Sequence, residues 1–191
     1  MSVRPILTLG EPVLRRPARE LTPDELRSPE IQALIDDLIE TKRAAHGAGI
    51  AANQVGEALR VAIVEVEPGN PRYPYKPPVP LTVIVNPEIE PLDGETFRVN
   101  EGCLSVPDLR GELDRHLSIR VRYLDRDGDE HDEIRRGLTA GTFQHEVDHL
   151  DGILFVDRAD PRSLATWEQF DRHQREEFEA RARDLVARVG S

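Results

Sequence analysis

The chain has 191 residues, of which 38% are hydrophobic and 32% charged, so it is long enough for one domain with a buried core and too short for two of ordinary size. Its net charge of −11 argues against a protein that coats nucleic acid, and we expect no DNA partner. There is no apolar run long enough for a membrane span and no signal-peptide pattern at the start, which predicts a cytoplasmic protein without a membrane partner.

The first half of the chain carries one helix signal and two strand signals. Residues 28–30, Ser-Pro-Glu, are typical of a helix start, and Gly47 is the expected end of that helix. Residues 59–66 and 81–85 are rich in apolar, β-forming side chains. Between them, residues 68–80 (PGNPRYPYKPPVP) predict an irregular surface loop, because proline interrupts regular structure.

The second half predicts a hairpin and two further helices. Alternating apolar residues from Leu117 to Tyr123 precede Asp127-Gly128, a hairpin turn signal. Residues 137–150 predict a helix with Gly152 at its end, and an amphipathic helix is expected to begin near Pro161. Strands that do not alternate regularly with helices favour an α+β fold. We expect residues 1–160 to form one domain and residues 161–191 a C-terminal helix packed on it.

The predicted helix 137–150 carries two histidines four residues apart. His145 and His149 lie on one face, about one turn apart, so both imidazoles can reach one metal ion. Glu146 projects beside that ion, where it can handle the proton of a water molecule. A short motif of this kind also occurs by chance, and it needs a third ligand before it defines a metal site.

Candidates for the third metal ligand lie both downstream and upstream of this helix in the sequence. Zinc peptidases with this motif take it from downstream, where Asp157, Asp160 and Glu168 are candidates that nothing distinguishes from ordinary surface carboxylates. Upstream, Cys103 is the single cysteine, and a thiolate is a strong ligand for zinc or ferrous iron. Taken alone, a cysteine is more often a buried core residue. Beside the histidine pair we favour ligation.

Three segments together resemble the motifs of the peptide deformylases, which remove the N-formyl group from new proteins. Residues 47–54 (GAGIAANQ) are similar to the first family motif, residues 101–105 (EGCLS) match the second, and residues 144–149 (QHEVDH) match the third. The family fold implies antiparallel sheets packed around a central metal-binding helix, with an N-terminal helix and a C-terminal amphipathic helix. The likeness extends to about Arg158.

The resemblance implies a role for each matching residue. Cys103, His145 and His149 would bind one divalent metal ion, with Fe2+ the usual ion and Zn2+, Ni2+ or Co2+ also accepted. Glu146 would be the general base and then the general acid. The side-chain amide of Gln54 and the backbone N–H of Leu104 would stabilise the oxyanion.

The resemblance also implies how substrate binds. An N-formylmethionyl nascent peptide would add as a strand between the first motif and the segment before the cysteine. The residues that would contact it are Ala48, Gly49, Glu101 and Gly102, with Arg110 meeting peptide carbonyls. Residues before His145 on its helix would border the methionine pocket, namely Leu138, Gly141 and Thr142.

Several positions depart from the family pattern. Asn53 replaces a proline, and Ala48, Gly141 and Thr142 are smaller than the usual side chains. These reductions predict a pocket that is either wider or refilled by a neighbour such as Phe143 or Val106.

Two further expectations concern partners and rival functions. The arginines of residues 181–191 would permit a weak electrostatic contact with the ribosome. A zinc peptidase of the H-E-x-x-H type is the alternative enzyme, and a structural metal site is the alternative without catalysis. Release of formate from formyl-Met-Ala-Ser separates these functions.

Overall fold

The computed structural model describes residues 2–191, which form six α-helices and eight strands. The helices are α1 (Pro23–Leu26), α2 (Pro29–Ala44), α3 (Gly137–Leu150), α4 (Phe155–Arg158), α5 (Trp167–His173) and α6 (Arg175–Val189). The strands are β1 (Gly49–Ala51), β2 (Val61–Val66), β3 (Val79–Pro91), β4 (Thr96–Cys103), β5 (Val106–His116), β6 (Ser118–Leu124), β7 (Glu130–Arg136) and β8 (Ala165–Thr166). Across this described range, no helix combines the length and apolar composition of a bilayer span.

Strands pair antiparallel in two sheets within residues 2–191. One sheet has the order β1-β2-β3-β6-β7, and the other has the order β4-β5-β8. The predicted hairpin joins β6 to β7, and its turn is closed by Asp125, whose carboxylate accepts from the backbone N–H groups of Asp127 and Asp129. The predicted α+β class with antiparallel sheets is confirmed.

Strand β2 is buried on both faces because helices cover each of them. Val61 and Ile63 face one apolar cluster, which contains Ile35 of α2. Ala62 and Val64 face the other cluster, which contains Phe143 of α3. The period-2 alternation of a strand therefore sends alternate residues to two different helices. This arrangement puts α3 in the centre of the molecule.

The helix ends follow local chemistry. The Ser28 hydroxyl accepts from the backbone N–H of Ile31 at 3.3 Å and begins α2, as the sequence predicted. The end of α2 differs from the prediction: the helix stops at Ala44, and His46 rather than Gly47 takes the left-handed backbone conformation, with φ of 52°. Gly152 has φ of 76° just after α3, where a glycine was expected.

The C-terminal segment corrects one prediction. No single helix begins near Pro161; the chain makes a short turn and a strand, and then two helices that meet at Gln174. Phe170, Phe178 and Ala182 are buried in the same cluster as α3. The carbonyl oxygen of Ser191 accepts from the backbone N–H of Leu138 at 3.3 Å, so this segment covers the start of α3.

The proline-rich segment corrects another prediction. Residues 68–78 lack regular structure, but they do not lie wholly on the surface, because Asn70, Tyr73 and Tyr75 are buried. Asn70 holds the turn: its amide donates to the carbonyl of His46 at 3.2 Å, and its oxygen accepts from the N–H of Arg72 at 2.9 Å. The prolines therefore shape a loop that turns inward.

Candidate active site

Helix α3 and the end of β4 bring three ligand-type side chains together. One ligand atom from each of Cys103, His145 and His149 lies within 4.8 Å of the other two. Cys103 Sγ is 3.1 Å from His149 Nε2. A thiolate and two imidazoles are a donor set that suits zinc and ferrous iron, and three protein ligands leave a position for water. Within residues 2–191 no other cluster of this kind was found, and the carboxylates Asp157, Asp160 and Glu168 do not belong to it.

A buried chain of charges orients the imidazole of His145. Its Nδ1 is 2.8 Å from Glu101 Oε2, which leaves Nε2 for the metal group. Arg115 donates to both oxygens of Glu101, at 2.9 and 3.0 Å, and also to Asp148. Arg158 completes the chain by pairing with Asp148 at 2.8 Å. Glu101 thus fixes the orientation of the His145 ring, a contact that the sequence analysis did not assign to it.

Burial and neighbouring charges shift the pKa values at the site. Burial raises the pKa of the Cys103 thiol, but His149 and His145 outweigh it and bring that pKa down to about 5. Burial raises the pKa of Glu146 above the usual range of a carboxyl, and the adjacent histidines oppose this shift. A thiolate at Cys103 suits ligation, and a carboxyl with raised pKa suits proton transfer near neutral pH.

Glu146 is held against the backbone of β1. A Cβ added to Gly49 would lie 2.8 Å from Cγ of Glu146 and closer still to its carboxylate. Among the residues described, neither Oε2 of Glu146 nor Nδ1 of His149 has a hydrogen-bond partner, although both are buried. Buried polar atoms without partners at a cluster of ligands fit a site that is built to bind a metal ion and a substrate.

The turn after β1 carries Gln54 and Asn53. Gln54 Nε2 donates to Ser105 Oγ at 3.0 Å and lies 3.7 Å from Cys103 Sγ, while Oε1 accepts from the N–H of Ala51 at 2.8 Å. Asn53, which replaces the family's proline, donates through its side chain to the carbonyl of His149. This departure therefore ties the turn directly to α3.

One cavity contains every predicted residue of the substrate site. Its walls include Gly47, Ala48, Gly49, Gln54, Glu101, Gly102, Cys103, Leu104, Arg110, Leu138, Gly141, Thr142, His145 and Glu146. The guanidinium of Arg110 is already engaged: Nε donates to Asn100 Oδ1 at 2.6 Å, Nη2 donates to the Asn100 carbonyl at 2.7 Å, and the group lies 4.4 Å from the ring centroid of Trp167. Arg110 is 1% exposed, and these contacts hold its guanidinium in the cavity wall.

Part of the cavity wall was not predicted from the sequence. Tyr73, Tyr75 and Lys76 reach it from the proline-rich loop, and Lys76 Nζ donates to Thr142 Oγ1 at 2.7 Å. A Cβ on Gly141 would lie 3.1 Å from Cζ of Phe97, so that ring takes the space beside the glycine. Phe97 and Lys76 therefore lie beside Gly141 and Thr142, two neighbours that the sequence analysis did not name.

These features define a class of protein. Three side chains that could hold one metal ion lie with a carboxylate beside them in the centre of an α+β fold, next to a cavity lined by two backbone segments, and such a combination suits a metal-dependent hydrolase. Glycine at positions 49 and 102 lets other groups pack close against these segments, because an added Cβ would collide with Glu146 at position 49 and would lie 3.2 Å from the Trp167 ring at position 102.

Comparison with known proteins identifies the family. The profile of the polypeptide deformylase family matches residues 3–165. A peptide deformylase of Leptospira biflexa is 44% identical over 158 residues, which cover 83% of this chain and 88% of the relative. The crystal structure of a peptide deformylase from Acinetobacter baumannii with Met-Ala-Ser bound has a TM-score of 0.79 and 43% identity, and it covers 83% of this chain and 99% of that one. The chain belongs to the peptide deformylase family.

A further structure extends the likeness to the C-terminal segment. A peptide deformylase from Synechococcus elongatus, solved in complex with actinonin, covers 97% of this chain and 85% of its own, with 30% identity and a TM-score of 0.71. The chain is thus a metal-dependent hydrolase whose family removes the N-formyl group from newly made proteins. The zinc peptidase alternative is not favoured.

Proposed function

We propose that Cys103, His145 and His149 hold the metal ion that deformylation requires, and that this ion is ferrous iron. The observation that carries the proposal is the meeting of these three ligand atoms within 4.8 Å beside Glu146. A divalent ion held there would supply a Lewis acid and lower the pKa of a water molecule to about 7. Metal analysis of enzyme purified without oxygen tests the choice of iron over zinc, nickel or cobalt.

Glu146 carries the proton in this proposal. Its carboxylate takes a proton from the water that attacks the formyl carbon and returns it to the amine that departs, so formate and a free N-terminus result. The raised pKa of Glu146 supports both halves of this transfer, because a group that titrates nearer to neutral pH both accepts and releases a proton readily.

Gln54 and Leu104 stabilise the oxygen that becomes negative. The donors would be the side-chain amide of Gln54 and the backbone N–H of Leu104, both in the wall of the cavity. The contact between Gln54 and Ser105 supports this role, because it holds the amide beside Cys103 before substrate arrives.

The peptide backbone would lie between two segments as an added strand. Ala48 and Gly49 form one side, and Glu101 and Gly102 form the other. The relative from Acinetobacter baumannii was solved with Met-Ala-Ser, the product of formyl-Met-Ala-Ser. Leu138, Gly141 and Thr142 would border the space for the first side chain, while Arg110 supports the wall through Asn100.

The decisive experiment joins formate release to metal content. Wild-type enzyme should release formate from formyl-Met-Ala-Ser and leave unformylated peptides intact. Cys103→Ala should lose both bound metal and activity, because two imidazoles alone are a weak site. Asp157→Ala is the matched control and should keep both, since Asp157 pairs with Arg15 away from the cluster. Full metal content in Cys103→Ala would refute the assignment.

The proposed partners are N-formylmethionyl nascent chains, met in the cytoplasm where they emerge. A contact with the ribosome through α6 would be weak, because the arginines expected to make it already have carboxylate neighbours. Arg181 pairs with Glu112 at 2.6 Å, and Arg188 lies 3.6 Å from Glu95.

A further inference from the structure

Two of the 25 basic residues are lysines, and neither stands on the open surface. Lys42 is fully buried, and an ion pair with Glu65 at 2.6 Å compensates its charge there. Lys76 is half-buried in the wall of the active-site cavity, and in the described part of the chain no carboxylate forms an ion pair with it. A chain that uses arginine almost everywhere places a lysine where substrate binds.

The contacts of Lys76 leave part of its ammonium group free for a ligand. Nζ donates to Thr142 Oγ1 at 2.7 Å and lies 5.1 Å from the ring centroid of Tyr73. The Thr142 hydroxyl itself donates to the carbonyl of Leu138 at 3.0 Å, so its oxygen is the acceptor for Lys76. An ammonium has three N–H donors, and a threonine oxygen takes one of them. The others are available to a group that enters the cavity.

The position of Lys76 relative to the chemistry identifies that group. In the proposed function, the formyl carbon lies beside Glu146 and the peptide backbone lies between Gly49 and Gly102, three residues that line the cavity. The first side chain is then directed toward the remaining wall, where Thr142 and Lys76 lie. Thr142 precedes Glu146 by four residues, about one helical turn of 5.4 Å. An extended methionine side chain spans a distance of that order.

We propose that Lys76 is a specificity-determining residue, and that it lets the first side-chain pocket accept substrates whose first side chain ends in a strong hydrogen-bond acceptor, above all formyl-methionine sulfoxide. This inference rests on the proposed function. In an apolar pocket the sulfoxide oxygen would be buried without a partner, which is costly. Here Lys76 supplies a charged donor, the stronger kind of hydrogen bond.

Ordinary methionine remains a substrate beside this lysine. The apolar stem of a lysine packs against apolar groups, and a thioether sulfur is itself a weak acceptor. Burial lowers the pKa of Lys76 to about 8, while the more distant Glu101 and Glu146 counteract that shift. Most molecules therefore keep the ammonium at neutral pH.

The test compares two substrates in wild-type enzyme and in Lys76→Met. The substrates are formyl-Met-Ala-Ser and the same peptide with methionine sulfoxide, and the readout is the ratio of their kcat/KM values. Wild type should process the sulfoxide within about tenfold of methionine. Lys76→Met should shift the ratio at least about tenfold toward methionine, the usual worth of a hydrogen bond to a charged donor. The Kd values of the two deformylated products should shift in the same direction.

Two further variants complete the test. Arg72→Met is the matched control, because Arg72 belongs to the same loop and carries the same charge but stacks at 5.1 Å over Trp167 instead of lining the cavity. The ratio of the two kcat/KM values in Arg72→Met should equal that of wild type. Lys76→Gln, which keeps a neutral donor, should give an intermediate ratio and serves if Lys76→Met folds poorly.

Three results would overturn the inference. A wild-type preference for methionine beyond a hundredfold would mean that the ammonium does not reach the sulfoxide. A ratio unchanged in both Lys76 variants would make the lysine structural. Absence of formate from both peptides would instead overturn the proposed function, on which the pocket's role depends.

Discussion

Gly49 and Glu146 are in such close contact that no side chain fits between them. A Cβ at position 49 would lie 2.8 Å from Cγ of Glu146, so Gly49→Ala must displace the carboxylate. A misplacement of about 1 Å can cost about 10²-fold in rate. We expect metal-loaded Gly49→Ala to lose at least about 10²-fold in kcat, as Glu146→Gln should, while both variants retain the metal, since Glu146 is not one of its ligands.

The control for Gly49→Ala is another glycine in open space. Gly94 has no heavy atom within 4 Å of an added Cβ and no left-handed backbone, so Gly94→Ala should leave kcat unchanged. The measurement is the kcat and the metal content of Gly49→Ala, Glu146→Gln and Gly94→Ala. Normal kcat in metal-loaded Gly49→Ala would show that the carboxylate can work from a shifted position.

The proximity of the two histidines could be predicted because their geometry is local, whereas Cys103 could be added only through the family motif. Helical spacing alone places His145 and His149 on one face, and the family motif adds Cys103. Lys76 could not be predicted in this way, because its position depends on the path of an irregular loop that Asn70 holds against His46. The rarity of lysine in this chain was the signal that could have singled it out.

At the level of elements, a buried ion cluster joins α2 to β2. Glu65 accepts from Lys42 at 2.6 Å and from Arg43 at 2.8 Å, and Lys42 has no exposure of its own. Removing the carboxylate of Glu65 leaves the buried ammonium of Lys42 with only the more distant Glu67, at 3.8 Å, so its charge is poorly compensated. We expect Glu65→Gln to lower the free energy of unfolding by about 3 kcal/mol, measured by denaturant titration at pH 7.

The same cluster predicts a dependence of stability on pH. Arg43, and with it Lys42, lowers the pKa of Glu65 despite burial, so the folded pKa lies below the unfolded value of about 4.3. The stabilisation is therefore complete above about pH 4.3 and is lost as pH falls through the folded pKa. Between pH 7 and pH 3, the free energy of unfolding should therefore fall less in Glu65→Gln than in wild type. Asp132→Asn, at an exposed pair with Arg120, should behave like wild type.

Elements with strong local signals matched their predictions, and those that depend on tertiary packing did not. The bounds of α3, Gly137–Leu150, are those that the sequence predicted. The C-terminal helix was predicted as one piece, because its apolar residues recur at helical spacing on both sides of Gln174. The break at Gln174 instead lets Phe170 and Phe178 meet at 5.8 Å, an edge-to-face contact that one straight helix would not make.

For the molecule as a whole, the C-terminal segment is a poor candidate for simple removal. Ala182 is buried, and Ser191 meets the start of α3, so deletion of residues 181–191 would disturb the fold as well as any ribosome contact. We therefore propose that residues 161–191 act as a packed extension of residues 1–160. Substitution is the cleaner test of docking.

Arg183 is the residue to substitute, because its side chain is 63% exposed and its carboxylate neighbour, Glu179, is 3.7 Å away on the same helix. A weak electrostatic contact predicts that Arg183→Glu reduces co-sedimentation with ribosomes at low salt and has little effect at high salt, where counterions screen the charge. Glu177→Gln, on the same helix, is the control for altered charge. Equal sedimentation of all three proteins would refute docking.

The scarcity of lysine has a consequence for chemical labelling. Acylating reagents attack unprotonated amines, and of the two lysines one is sealed in an ion pair while the other opens into the cavity with a pKa of about 8. In most proteins such reagents modify many surface amines at once. Here, a reagent small enough to enter would react among the side chains chiefly at the substrate pocket, and an electrophile mounted on a methionine-like peptide would turn this lysine into a covalent anchor for inhibitors.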